Sequence, residues 1–329
     1  MRPIKSSGGF TLIELMIAML LGLIVIAGVT AVFLAGQRSY RTNQALAEVQ
    51  DSSRIAFEIM ARDIRDAGLT GCGNPGRVGN ILSASPAGGG SAWWADWSNV
   101  IMGGTKADAA VAAGGASGQR VTGNDSLMLI GAGGQSSSVV TYDFASATFT
   151  LSDANADLQA GDVFVVCDPD HAVIAQSATY VSASKTLTYT KDSGNCSTGM
   201  GFPSDCASSS NDYQFQKNAQ ITKLTATDWY IGVNPVGGNS LYRQVLSTNG
   251  TLSTQEMVRD VNSMTILYHV PGAATFSSAS DVTAAGSWGR VDSVQVSWQV
   301  QSVNKTAGTG GQPVSRTFTA TTTLRNRVN

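Results

Sequence analysis

The sequence predicts an α+β fold in which one long amino-terminal helix packs on a large antiparallel β-sheet head domain. Residues 10–34 form an apolar run whose only charge is Glu14, residues 46–67 repeat apolar side chains every three or four positions, and the final third alternates apolar with polar side chains. These are the patterns of a membrane-spanning helix, an amphipathic helix and strands with one dry face.

At about 1.5 Å per residue, residues 10–34 reach about 37 Å as a helix, enough to cross a bilayer with some tilt. A secretory signal is ordinarily cut after its apolar region, whereas here the small pair Gly8-Gly9 precedes it, so cutting there keeps the helix in the mature protein. Arg2 and Lys5 orient the helix with its amino end in the cytoplasm and everything after Gln37 outside. Glu14 is costly inside such a segment and calls for a cationic partner. No basic residue lies in the following turns, which leaves an α-amino group freed by cutting before Phe10, on this chain or on a neighbouring one. The competing reading is a single-pass anchor with its carboxylate among lipid headgroups.

Beyond Gln37, Leu46, Val49, Ser53, Ala56, Phe57, Met60, Ile64 and Ala67 draw one apolar stripe broken only by Ser53. The opposite side spaces Arg54, Glu58, Arg62 and Asp66 four residues apart with alternating sign. An end is expected near Gly68, where Gly68, Gly71, Gly73 and Pro75 crowd together. A helix over 10–67 would be about 87 Å long, well beyond ordinary globular helices. Ala18 with Gly22, and Ala27, Ala31 and Ala35, have the spacing that lets neighbouring rods approach closely. The chain thus divides into a leader (1–9), an apolar helix (10–34), its amphipathic continuation (35–67) and a head (68–329).

The head is rich in Gly, Ser, Thr, Ala and Asn, and the formal net charge of -2 gives no general attraction to nucleic acid or anionic lipid. Val294, Val296, Trp298 and Val300 alternate with polar residues, as do Met264, Ile266, Tyr268 and Val270 and then Phe318, Ala320, Thr322 and Leu324, predicting three antiparallel strands. Loops are expected at 271–289 and 304–314, and further strands at 126–130, 138–143, 147–151, 162–167, 186–190, 220–233 and 240–246. Such a sheet would wrap the apolar side of the helix.

Cys72, Cys167, Cys196 and Cys206 face an oxidising compartment in this topology, which predicts two disulfides. Of three possible pairings, Cys196 with Cys206 is favoured because they flank a Gly/Ser/Pro-rich loop whose closure contributes roughly 2–3 kcal/mol. Cys72 is then left to Cys167. Metal binding is the rival, but no C-x-x-C pair exists.

No catalytic pattern stands out, and no cofactor or metal is expected. The two histidines, His171 and His269, fit structural roles; Asp168-Pro169-Asp170-His171 reads as a polar turn; and Gly131-Ala132-Gly133-Gly134 reads as a hairpin turn because no helix follows it. Neither G-x-S-x-G nor H-E-x-x-H occurs. Trp93, Trp94 and Trp97 form a candidate stacking surface for sugar, DNA or a partner protein, against the alternative of burial in the head. Arg77, Lys106 and Arg120 are scattered, so direct nucleic-acid binding has no basic patch.

The string G-FTLIELMIAMLLG resembles the class III signal peptide of type IV pilins and type II secretion pseudopilins. The resemblance implies a type IV pilin-like fold, cutting by prepilin peptidase after Gly9, methylation of the new terminus at Phe10, and pairing of Glu14 with the terminal amine of an adjacent subunit. Residues 43–73, including Ala-Arg-Asp-Ile-Arg and Gly71-Cys72, are similar to PilW-type minor pilins. The run Met257-Val258-Arg259-Asp260-Val261, the segment 291–301 and Thr323-Leu324-Arg325-Asn326-Arg327 are similar to the ending shared by those pilins and the J-type pseudopilins. The implied role is a minor pilin that joins other minor pilins in a priming complex, starts assembly of the major pilin and stays at the pilus tip, in support of twitching motility, adhesion or DNA uptake. The implied partners are those pilins, prepilin peptidase and the inner-membrane assembly platform. The implied location is the bacterial inner membrane, with the head periplasmic, and then the pilus on the cell surface. The alternatives are a J-type minor pseudopilin of a type II secretion system and a tip adhesin or DNA receptor. The Ala-Gly-x-x-Gly-Cys stretch ending at Cys72 and the two expected disulfides favour the pilus.

Overall fold

The computed structural model of the chain describes residues 9, 11–72, 77–104, 110–204, 206 and 212–327. The leader charges Arg2 and Lys5, the cleavage-pair residue Gly8, the new terminus Phe10, the helix-stop residues Gly73 and Pro75, and Lys106 lie outside the described residues.

Helix α1 runs Leu12–Asp66. The strands follow in chain order as β1 (Val78–Asn80), β2 (Ile101–Gly104), β3 (Ser126–Asp143), β4 (Thr148–Leu151), β5 (Val163–Cys167), β6 (Ala172–Gln176), β7 (Thr179–Val181), β8 (Thr186–Thr188), β9 (Gln220–Val233), β10 (Asn239–Leu246), β11 (Leu252–Arg259), β12 (Val261–His269), β13 (Ser293–Gln301) and β14 (Ser315–Thr323). A short helix, α2 (Ala279–Ala284), lies between β12 and β13. One 11-stranded sheet has the order β1-β6-β5-β9-β3-β4-β8-β7, with β10 and then β11 added beside β9, and β2 beside β3. Apart from the parallel β1–β6 pair, its ladders are antiparallel. A separate three-stranded sheet has the order β12-β13-β14. The fold class is therefore the α+β arrangement expected.

Contacts divide the chain into two compact units. The first is Met1–Gln50 with Ser302–Ser315. Within it Ala45 is buried with Ala307 and Val314, Leu46 packs against them, and the Thr42 hydroxyl donates to the carbonyl of Ala307. The second is Asp51–Gln301 with Arg316–Asn329. There the predicted stripe is realised: Ala56, Met60, Ile64 and Ala67 are each at most 2 % exposed, as is the neighbouring Ala61. Ser53, the one polar residue in that stripe, is buried and accepts a hydrogen bond from Trp298 Nε1 on β13 at 3.1 Å, while Phe57 stacks on the same indole. The alternation on β13 buries Val294, Val296, Trp298 and Val300 and leaves Ser293, Gln295, Ser297 and Gln299 partly exposed.

The termination of α1 follows from backbone chemistry. Gly68 adopts φ +77°, the left-handed conformation that closes helices, and its amide donates to the carbonyl of Ile130 on β3. The facing residue on β3 is Gly131, where a Cβ would run into the carbonyl oxygen of Asp66. The run Gly131–Gly134 is consequently part of β3 and not the hairpin turn expected from sequence. The two strands predicted at 126–130 and 138–143 are one long strand, which stays paired with β9 through a bulge between Gly133 and Ser136. The loop expected at 271–289 contains α2, whose Ser278 and Asp281 form a capping box.

Candidate functional site

The amino end of α1 is built by two side chains. The Glu14 amide donates to the Thr11 hydroxyl at 3.3 Å, and Glu14 Oε2 in turn accepts from the Thr11 amide at 3.5 Å. This is a T-x-x-E capping box, which satisfies otherwise orphaned donors at a helix start. A reading centred on charge misses that role for Glu14, although the spacing from Thr11 carries the signal. Gly9 is exposed just before it, and residues 11–41 are all exposed. The most apolar 18-residue window of α1 has a mean hydropathy of 2.8 and contains no buried residue. An unpaired surface of this kind has the length and composition of a membrane span.

The carboxyl-terminal part of α1 meets the large sheet through a polar clamp. Asp63 Oδ2 accepts from Trp229 Nε1 at 3.0 Å and lies 3.7 Å from Arg243 Nη1, while the guanidinium sits over the Trp229 ring at 5.7 Å. Burial raises the Asp63 carboxyl above the usual range, and the Arg243 charge opposes that rise. A groove of about 480 Å³ lies beside this clamp, lined by Arg62, Asp63, Asp66, Gly131, Thr227 and Arg243 among others. Its walls combine the charged side chains of Glu58, Arg62, Asp63, Asp66 and Arg243 with the glycines of β3.

Cys72, six residues past the end of α1, is bonded to Cys167 at the end of β5, and Cys196 is bonded to Cys206. The first bond spans a sequence separation of 95 and ties the helix exit to the sheet, where Cys167 is fully buried.

Both histidine rings are held by hydrogen bonds. His171 is buried, its Nε2 bonds the carbonyl of Met200, and burial lowers its pKa. His269 Nδ1 bonds Asp292 at 2.7 Å, and that bond raises its pKa. Asp168 is the polar turn expected, accepting from the amides of Asp170 and His171 and from the Tyr213 hydroxyl. Among the described residues no group of three His, Cys, Asp or Glu side chains is placed to hold a metal ion. Trp94 is 8 % exposed, and Trp93 and Trp97 pack half-buried against the same core of β5, β6 and β9 side chains.

Two family models match the chain. The prokaryotic N-terminal methylation motif matches residues 4–30, and the type IV pilus-assembly protein W family matches residues 228–326. The second match covers β10 to β14 entirely, together with Trp229 and Arg243 of the clamp and Trp298 of the small sheet. No curated protein and no solved structure matches the chain.

Proposed function

We propose that this chain is a PilW-type minor pilin, a structural subunit that primes assembly of a type IV pilus and ends at the pilus tip, a reading that the two family matches support. One observation carries the proposal: a methylation-motif helix with an exposed apolar surface is continuous with the helical stripe that holds the PilW-matching sheet. In this reading prepilin peptidase cuts after Gly9 and the enzyme methylates Phe10. Residues 10–34 store the subunit in the inner membrane with its head in the periplasm, and the same residues then pack among neighbouring helices in the filament. The Glu14 carboxylate supports docking by meeting a terminal amine in a low-dielectric setting, where an opposite charge is worth far more than in water. The other minor pilins, the major pilin and the assembly platform are its partners. The size of residues 68–329 supports a terminal position, since so bulky a cap is hard to repeat along a densely packed shaft.

The test is a deletion strain in which surface pili are counted by electron microscopy, with and without retraction disabled, and secreted enzymes are assayed in parallel. Loss of pili with normal secretion, reversed when retraction is blocked, is expected. Normal pili with lost secretion would reassign the subunit to a type II secretion filament.

A further inference from the structure

Strand β9 carries a carboxyl group where a sheet interior ordinarily holds an apolar side chain. Asp228 is 0 % exposed, and among the described residues neither of its oxygens has a hydrogen-bond partner. Its ladder neighbours are Met128 on β3 and Gln244 on β10. Directly opposed residues of antiparallel strands project to the same face with Cβ atoms about 4.5–5.5 Å apart. Gln244 Oε1 is likewise buried without a partner. Two acceptors therefore share one face of a ladder position, and an ionised carboxylate has no proton to put between them.

A single proton would join one Asp228 oxygen to Gln244 Oε1. We infer that Asp228 is carried as a neutral carboxylic acid that donates its O–H to Gln244 Oε1, a proton-dependent latch between β9 and β10. The latch matters because, among the described residues, β11 pairs with β10 alone, so the side-chain bond secures the outer hairpin.

Among the described residues no neighbouring side chain hydrogen-bonds the Asp228 carboxyl. Arg120 is buried nearby and favours the ionised form, and its Nε donates to the carbonyl of Val111. The phenols of Tyr230 and Tyr242 donate to the carbonyls of Gly118 and Val233. Glu256 on β11 accepts from Ser240 and Arg259, and Asp125 accepts from the Ile266 amide on β12. Tyr268 of β12 is buried and feels the Asp228 charge as a repulsion. Asp63 and Arg243 stand on the opposite face, since Trp229 and Arg243 alternate with Asp228 and Gln244 along their strands. Burial outweighs Arg120 and places the Asp228 carboxyl at about 7.

The sign follows from linkage. A carboxyl whose folded pKa is raised contributes stability that is full below its unfolded value of about 3.9, and that stability is lost as pH rises from there through the folded value. The experiment compares the full-length chain in detergent with Asp228→Asn, which keeps a donor for Gln244 but cannot ionise. Urea unfolding is followed by tryptophan fluorescence at about pH 4 and about pH 8.5, either side of the transition. The expected result is a variant midpoint close to the wild type at the lower pH and above it at the higher. A variant less stable than the wild type at the higher pH would show Asp228 to be ionised and paired, and would overturn the latch. If the variant does not fold, the 13Cγ resonance of Asp228 in the unmodified chain decides: titration near neutrality supports the latch, and a shift already that of a carboxylate at about pH 5.5 overturns it.

Discussion

Trp298 Nε1 donates to the Ser53 hydroxyl at 3.1 Å, across a sequence separation of 245, at the one point where the apolar stripe of α1 is interrupted. The interruption is thus a specific join between the helix and the small sheet. Both groups are buried, so removing the acceptor strands an indole N–H in a dry interface. Ser53→Ala should cost about 1–3 kcal/mol, read as a lower urea midpoint, and Ser53→Thr should recover most of it by restoring the hydroxyl.

Asp63 joins α1 to the large sheet through two different contacts, and two substitutions separate them. Asp63→Asn keeps an oxygen for Trp229 and loses only the attraction to Arg243, itself partly exposed at 24 %. Asp63→Ala loses both and strands the indole. The alanine variant should therefore lose about 1–3 kcal/mol and the asparagine variant well under half of that. Equal losses in urea unfolding would mean that the charge, and not the hydrogen bond, carries the clamp.

These joins show which parts of the molecule were legible in the sequence. The stripe of α1 and the alternation of β12, β13 and β14 are periodic, and periodicity survives without tertiary information. Ser53 could be seen as an exception but not explained, because its partner is far away in the chain. Gly131 and Gly133 look like a turn locally. They lie inside β3 because the helix end approaches so closely at Gly131 that no side chain fits, a constraint no local window contains. Strands β1, β2 and β7 are three or four residues long and too short to show a period, and β6 is a short apolar run buried throughout. At the helix start Glu14 was legible as a charge, while its pairing with Thr11 needed the capping spacing to be read as well.

The two disulfides should differ in weight. In the chain-entropy account, the bond with a separation of 95 contributes about 5 kcal/mol and the one with a separation of 10 about 3 kcal/mol. Replacing Cys72 and Cys167 together by serine should therefore lower the thermal midpoint more than replacing Cys196 and Cys206. Differential scanning calorimetry of the two double variants makes the comparison, and the opposite order would show that unfolded-state entropy is not the controlling quantity.

The two histidines should titrate on opposite sides of the ordinary value near 6.5. His269 is raised by its bond to Asp292, so its stabilising contribution is full below about 6.5 and is lost as pH rises through its higher folded value. His171 is lowered by burial, so it destabilises the folded state as pH falls below about 6.5, and the loss levels off once pH passes below its lower folded value. With only two histidines in the chain, an NMR titration resolves both directly. Asp292→Asn should bring the His269 titration down and leave that of His171 unmoved.

Glu14 caps α1 and, in the proposed function, also docks the subunit, and a single deletion would confuse the two. As the capping residue opposite Thr11 it needs only an acceptor oxygen, and glutamine serves in such boxes nearly as well as glutamate. As the partner of a terminal amine it needs a negative charge. Glu14→Gln should therefore leave helix formation, membrane insertion and cutting before Phe10 intact while abolishing incorporation into pili as fully as Glu14→Ala. Immunoblots of membrane and sheared-pilus fractions distinguish the cases. If the glutamine variant enters pili at the wild-type level, the carboxylate charge is not what docks the subunit, and Glu14 acts there as a helix cap alone.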